Sequence, residues 1–145
     1  MVVKQLAVFM ENAPGRLKAL TEVIAQQNIN MRAITIADTS DFGIVRMIVD
    51  DNEKAVAVLQ ENNFVAKLTS VLAVEVGDEP GQLLTILGVL DTAKINIEYM
   101  YAFKVSHENK ALMIFKVDQE PLAIQTLKDN GYVVYENQEQ MMSAF

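Results

Sequence analysis

The sequence predicts an α+β protein made of two tandem ferredoxin-like βαββαβ units, each an antiparallel sheet with its helices on one face. Three observations support this fold class. The 145-residue chain matches itself after a shift of 66 positions, and each half alternates strand-like and helix-like patterns in the same order. Hydrophobic residues make up 51% of the chain, which is enough to build packed cores.

The internal repeat indicates how the chain is divided into domains. The offset is 66 positions up to residue 101 and 68 beyond it, and it aligns Pro14-Gly15 with Pro80-Gly81, Ile29-Asn30 with Ile95-Asn96, and Val49-Asp50 with Val117-Asp118. Chance similarity between apolar windows would match interchangeable aliphatic residues rather than Pro-Gly and Ile-Asn. The two extra residues lie near positions 107–109, where a hairpin loop lengthens at little cost. We therefore expect two domains, residues 1–69 and 70–145.

The first half contains four predicted strands and two predicted helices. The strands, rich in β-branched and aromatic side chains, are expected at residues 3–10, 31–37, 44–49 and 64–68. A helix follows Pro14-Gly15, because aliphatic residues recur at helical spacing from Leu17 to Ile24 and proline suits a first helical turn. Asp51 or Asn52 can cap the second helix.

The second half repeats this order. Strands are expected at residues 71–76, 97–105, 111–117 and 132–135, and helices at residues 82–92 and from Pro121 to about Asn130. Residues 67–70 separate the halves and contain no glycine or proline. Together the elements of each half predict a four-stranded antiparallel sheet with both helices on one face.

Charge and composition exclude several classes of function. The net charge of −7, from 12 basic and 19 acidic residues, argues against nucleic-acid binding. No apolar run approaches the length of a membrane span, and the N-terminus lacks the pattern of a secretory signal. The chain has no cysteine, so disulfides, thiolate nucleophiles and cysteine zinc sites are excluded. We expect a cytoplasmic protein that does not bind membranes.

Enzymatic chemistry has little support in the sequence. His107 is the only histidine, and a single histidine in a polar loop is usually a surface residue. No phosphate loop, dinucleotide fingerprint or carboxylate pair with acid–base spacing is present. We therefore expect no catalytic residues, no metal site and no cofactor, and a small enzyme of this topology is the least favoured interpretation.

The two Pro-Gly loops are the better candidates for a site. Each joins the end of a strand to the start of a helix, where unpaired backbone N–H groups and the helix dipole suit a carboxylate. One Pro-Gly pair is an ordinary turn. Two pairs at equivalent positions, each followed by leucine two residues on, favour a shared function. Asn30 and Asn96 offer side-chain amides at the second strand, although each also suits a helix C-cap or turn.

These loops carry a resemblance to a known family. The segment 78–83, Asp-Glu-Pro-Gly-Gln-Leu, together with Lys-Ile-Asn-Ile at 94–97, resembles the signature of ACT domains. Segments 12–17 and 28–31 resemble it too, with Asn12 where the family usually has aspartate. ACT domains are regulatory modules that typically bind amino acids where two ACT sheets or their helices meet.

The resemblance implies a set of ligand-binding residues. They are Asn12, Ala13, Pro14, Gly15, Asn30 and Met31 in the first half, and Asp78, Glu79, Pro80, Gly81, Asn96 and Ile97 in the second. The neutral Asn12 weakens any amine-binding role of the first loop. No catalytic domain is attached, so the regulated partner is expected outside this chain.

The sequence therefore predicts a stand-alone tandem ACT-like protein that senses an amino acid. Edge strands of small sheets need pairing or protection, and ACT-like units commonly provide it by pairing edges or packing helices, so we expect a homodimer. The alternative is a protein–protein interaction module whose loops bind no small molecule.

Overall fold

The computed structural model describes residues 3–38, 42–104 and 109–144. Its elements in chain order are β1 (Val3–Glu11), α1 (Arg16–Gln26), β2 (Met31–Asp38), β3 (Phe42–Val49), α2 (Asn52–Glu61), β4 (Val65–Gly77), α3 (Gln82–Thr92), β5 (Ile97–Lys104), β6 (Lys110–Val117), α4 (Glu120–Asp129), β7 (Val133–Tyr135) and α5 (Gln138–Ser143). The contacts divide the chain into two compact units. Lys4–Thr69 form the first, and the chain from Ser70 onwards forms the second together with Val3.

The first unit has the strand order β2-β3-β1-β4, in which β3 is antiparallel to both β1 and β2. Side chains alternate between the two faces of a strand. The even-numbered residues Leu6, Val8 and Met10 of β1 share one buried cluster with Leu20 of α1 and Leu59 of α2. Both helices therefore lie on one face of the sheet, as predicted.

The second unit repeats the arrangement with the order β5-β6-β4-β7, and β6 is antiparallel to β4 and β5. Its core combines Leu72 and Val74 of β4 with Ile86 and Leu90 of α3 and Leu127 of α4. The predicted α+β class and ferredoxin-like order are thus confirmed in each half.

Three local features differ from the sequence prediction. Residues 67–70, expected to separate two strands, lie inside the single 13-residue strand β4, because Lys67-Leu68-Thr69-Ser70 contains no residue that breaks a strand. Helix α5 was not predicted, since its six residues are too few to show a period. Its N-cap residue Asn137 accepts a hydrogen bond from the Gln140 N–H at 2.8 Å. The predicted loop around His107 lies outside the described residues.

Candidate functional site

The Pro-Gly loops form two matching turns. Gly15 has φ 83° and ψ −9°, and Gly81 has φ 87° and ψ −8°. Proline followed by a residue with positive φ is the pattern of a type II turn, and the closing hydrogen bond is present in both copies. The Arg16 N–H donates to the Ala13 carbonyl at 3.3 Å, and Gln82 does the same to Glu79 at 3.3 Å.

The turn geometry corrects one expectation. Pro14 and Pro80 lie in the turn before each helix rather than in its first turn, because the left-handed glycine occupies the N-cap position. Side chains with a Cβ are disfavoured in this conformation, so the backbone itself requires glycine here. The glycines therefore have a structural role whether or not a ligand binds.

The helix starts behind these glycines are open. No side chain among the described residues caps α1 or α3, whereas Asp51 caps α2 by accepting from the Lys54 N–H at 3.1 Å. A Cβ built on Gly15 or Gly81 meets no atom within 4 Å. The first-turn N–H groups consequently lie beside free space that a carboxylate can enter.

The predicted asparagines have a different setting. The Asn30 N–H donates to Oδ1 of Asp50 at 3.1 Å, and the Asp50 N–H donates back to the Asn30 carbonyl at 3.2 Å. Asn96 and Asp118 repeat both bonds at 3.0 and 3.2 Å. This clamp fixes the start of β2 or β5 against the end of β3 or β6. The sequence analysis missed it, although the recurring Asp50 and Asp118 were visible in the repeat.

The loop and the clamp lie at opposite ends of each unit. Glu11 pairs with Phe42 and Met31 with Val49, so the end of β1 and the start of β2 are 49 − 42 = 7 residues apart along β3. At about 3.4 Å per residue this is roughly 24 Å. Lys110 and Val117 give the same separation in the second unit. One unit therefore groups Asn12, Ala13, Pro14 and Gly15, but does not bring Asn30 and Met31 to them.

Comparison with known proteins identifies the family. The family model described as an ACT domain pair matches residues 1–142. This chain belongs to the ACT domain family. The crystal structure of protein BT0572 from Bacteroides thetaiotaomicron is 39% identical, with a TM-score of 0.88 over 93% of this chain and 92% of that one. No curated protein matches the chain.

Two more distant structures share the fold of this ACT domain pair. The regulatory subunit of aspartate kinase from Thermus thermophilus is 16% identical, with a TM-score of 0.64 over 87% of this chain and 91% of that one. The corresponding subunit from Thermus flavus is 15% identical, with a TM-score of 0.61 over 87% and 90%. At these identities the likeness concerns the fold alone.

The two loops of the ACT pair differ in charge. The second carries the exposed carboxylates of Asp78 and Glu79, where the first has Asn12 and Ala13. The first loop is instead followed by Arg16, whose guanidinium carbon lies 4.9 Å from the centre of the Phe64 ring. An anionic loop favours a ligand amine and a cationic one a ligand carboxylate. The two halves of the ACT pair are therefore not chemically equivalent.

A polar cluster in the second unit lies apart from the loops. Glu75 accepts a hydrogen bond from the Tyr135 hydroxyl at 2.9 Å and forms an ion pair with Lys110. The Lys110 hydrogen bond is the main cause that lowers the pKa of Glu75, and burial opposes it. Sequence spacing gave no signal for this cluster, because its members come from three different strands.

Two searches of the described residues complete the description of the site. In the ranges 3–38, 42–104 and 109–144, no group of three or more His, Cys, Asp or Glu side chains is arranged to hold a metal ion. Within the same part of the chain, no helix is both long and apolar enough to cross a membrane.

Proposed function

We propose that this ACT domain pair is a cytoplasmic regulatory protein that senses an amino acid through its strand–helix loops. The observation that carries the proposal is the pair of left-handed glycines, Gly15 and Gly81, each opening an uncapped helix onto free space. The family, and the fold shared with regulatory subunits of aspartate kinase, support a regulatory role. The two domains are residues 1–69 and 70–145.

The second loop is the better amino-acid site. The ligand carboxylate accepts hydrogen bonds from the first-turn N–H groups of α3, which the helix dipole strengthens. The Asp78 carboxylate binds the ligand amine, and Glu79 and Pro80 line the same exposed turn. In the first loop, Asn12 and Ala13 provide no charge for the amine, while Pro14 and Gly15 repeat the backbone geometry. We therefore expect weaker binding there.

A second copy of the chain completes each site. The loop and the strand start lie at opposite ends of one unit, so each unit supplies two half-sites. A twofold axis reverses the direction of the partner unit, so opposite ends become neighbours. The loop at Gly81 then lies beside Asn96 and Ile97 of the partner subunit, and the loop at Gly15 beside Asn30 and Met31 of the partner subunit. The active form is therefore a homodimer.

A thermal-shift screen over the twenty amino acids tests this function. A ligand that binds the folded state alone at a hundredfold excess over its Kd adds about 2.7 kcal/mol of stability. For domains of this size the melting temperature rises by several degrees. The amine-free and carboxylate-free analogues of each hit are the matched controls and should shift the melt less. If none of the amino acids changes the melting temperature at millimolar concentration, the interaction-module interpretation replaces this one.

A further inference from the structure

Helix α3 presents an unusual exposed face. Leu84 is 76% exposed, which is the largest exposed fraction among the large apolar side chains of the described residues. Gly88 follows four residues later and therefore lies on the same face, one turn along. A Cβ built on Gly88 meets no atom within 4 Å, so the packing of this unit does not require glycine there. Glycine also disfavours a helix interior relative to alanine.

A groove borders this face between α3 and α4. It has a volume of about 450 Å³ and is lined by Thr85, Gly88, Val89, Thr92, Ala93, Thr126 and Asn130. None of these side chains is charged, although 21% of the chain is. The protruding Leu84 and the adjacent groove thus form a knob and a hole on one surface.

The first unit shows that the fold does not need this surface. At the offset of 66, Lys18 aligns with Leu84 and Glu22 with Gly88. Lys18 Nζ lies 3.6 Å from Glu22 Oε1, with side chains 81% and 56% exposed. The same position in the same fold carries a solvated ion pair in one unit and an apolar knob beside a glycine in the other. A role outside the core explains that difference.

The charges at the two ends of α3 point to the occupant. The acidic residues Asp78 and Glu79 precede the helix, and the exposed Lys94 follows it. A second α3 in antiparallel orientation brings each Lys94 towards the acidic loop of the other copy, and the two helix dipoles oppose each other favourably. The uncharged surface between them lets two copies of a chain with net charge −7 approach without repulsion there.

We propose that this face of α3 binds the α3 of a second copy across a twofold axis. Leu84 of each copy packs over Gly88 of the partner subunit and into the groove beside it. This inference rests on the homodimer of the proposed function and assigns its contact surface to the second unit. The antiparallel pairing also brings the start of β5 in one copy towards the Gly81 loop in the other.

A double substitution tests the surface. Leu84→Lys with Gly88→Glu transfers the residue pair of the first unit into α3, so the fold is already known to accept it. Sedimentation velocity over a concentration series should show the unchanged chain as a dimer, and a dimer Kd at least about a hundredfold higher for the double variant. The matched control, Lys18→Ala with Glu22→Ala in the first unit, should leave the dimer Kd unchanged. Leu84→Gln is a milder second variant, because the side chain is already exposed.

Each result distinguishes the surface from the function. A dimer that persists with unchanged Kd in both Leu84 variants, each with a native circular dichroism spectrum, overturns the α3 surface but leaves the homodimer standing. An unchanged chain that sediments as a monomer at all concentrations overturns both. If the double variant unfolds, Leu84→Gln decides, and weakened association of that folded variant supports the surface. Loss of the dimer in the first-unit control would move the contact to α1 and also overturn the inference.

Discussion

Asn30 and Asp50 hold each other by two hydrogen bonds, and Asn96 and Asp118 repeat the arrangement in the second unit. In each pair one bond is made by a carboxylate and the other by the backbone carbonyl of the asparagine. The asparagine side chain takes part in neither bond. It remains at the surface at the start of β2 or β5, in the position that the proposed site requires of it.

Removing the clamp should loosen the strand start. Asp118→Ala deletes the acceptor for the Asn96 N–H and should lower the free energy of unfolding by about 1 kcal/mol. Asp118→Asn keeps an acceptor oxygen and should cost less than half of that. Urea unfolding followed by circular dichroism measures both. Equal stability of all three proteins would show that water replaces the carboxylate without cost.

The left-handed glycines call for asparagine rather than valine as the probe. Valine at Gly81, with φ 87°, adds backbone strain of about 1–2 kcal/mol, so strain and lost binding could not be separated. Asparagine tolerates this conformation, and its side chain extends into open space. Gly81→Asn should keep the fold and lower ligand affinity about tenfold or more.

Calorimetric titration with the amino acid found in the screen measures this effect. Gly15→Asn is the matched control in the first loop and should leave binding at the second loop largely intact. If both variants bind as the unchanged chain does, neither Pro-Gly loop is the site.

Asp78 should determine whether the ligand amine is recognised. Asp78→Asn removes the charge while keeping a similar shape and should weaken amino-acid binding about tenfold. Binding of the corresponding carboxylic acid without an amine should change little. Competition titrations compare the two ligands, and Glu79→Gln serves as a neighbouring charge control. A uniform loss for both ligands would assign Asp78 a structural role.

The Glu75 cluster should make stability depend on acid pH. Its pKa is lowered below the ordinary 4.5, chiefly by the hydrogen bond from Lys110. A lowered pKa stabilises the folded state above the unfolded value, and this stabilisation is lost as the pH falls through the folded value. Lys110→Met should therefore cost up to about 1 kcal/mol at pH 7 and progressively less below pH 4.5.

Urea unfolding at pH 7 and pH 3 measures that difference. Lys128→Met is the matched control, because it removes the exposed partner of Glu136 and should change the pH dependence less. A cost of Lys110→Met that stays constant across this pH range would contradict the assignment to Glu75.

The fold was largely predictable from the sequence, because periodic apolar residues and the repeat both report burial. Thus α3 was predicted at residues 82–92 and is found at Gln82–Thr92. The boundary at residues 67–70 was not predictable, since no residue type there distinguishes a connecting segment from the middle of a long strand. The N-cap position of Gly15 also escaped, because Pro-Gly fits both a first helical turn and the type II turn that the structure has.

The candidate site was predicted in part. The residues around Gly15 and Gly81 form one cluster in each unit, as the motif suggested. The separation of these loops from Asn30 and Asn96 follows from strand register, which a short motif does not encode. The clamp residues Asp50 and Asp118 were visible as repeated residues, but hydrogen bonds spanning 20 and 22 positions have no local signal.

The most direct test of the central claim is a titration of the isotope-labelled chain with each of the twenty amino acids, followed by amide chemical shifts in NMR. We predict that one amino acid shifts the amides of residues 81–84 and 96–97 most strongly, and those of residues 15–18 and 30–31 only at higher concentration. Shifts confined to other parts of the chain, or no shift with any amino acid at millimolar concentration, would contradict it.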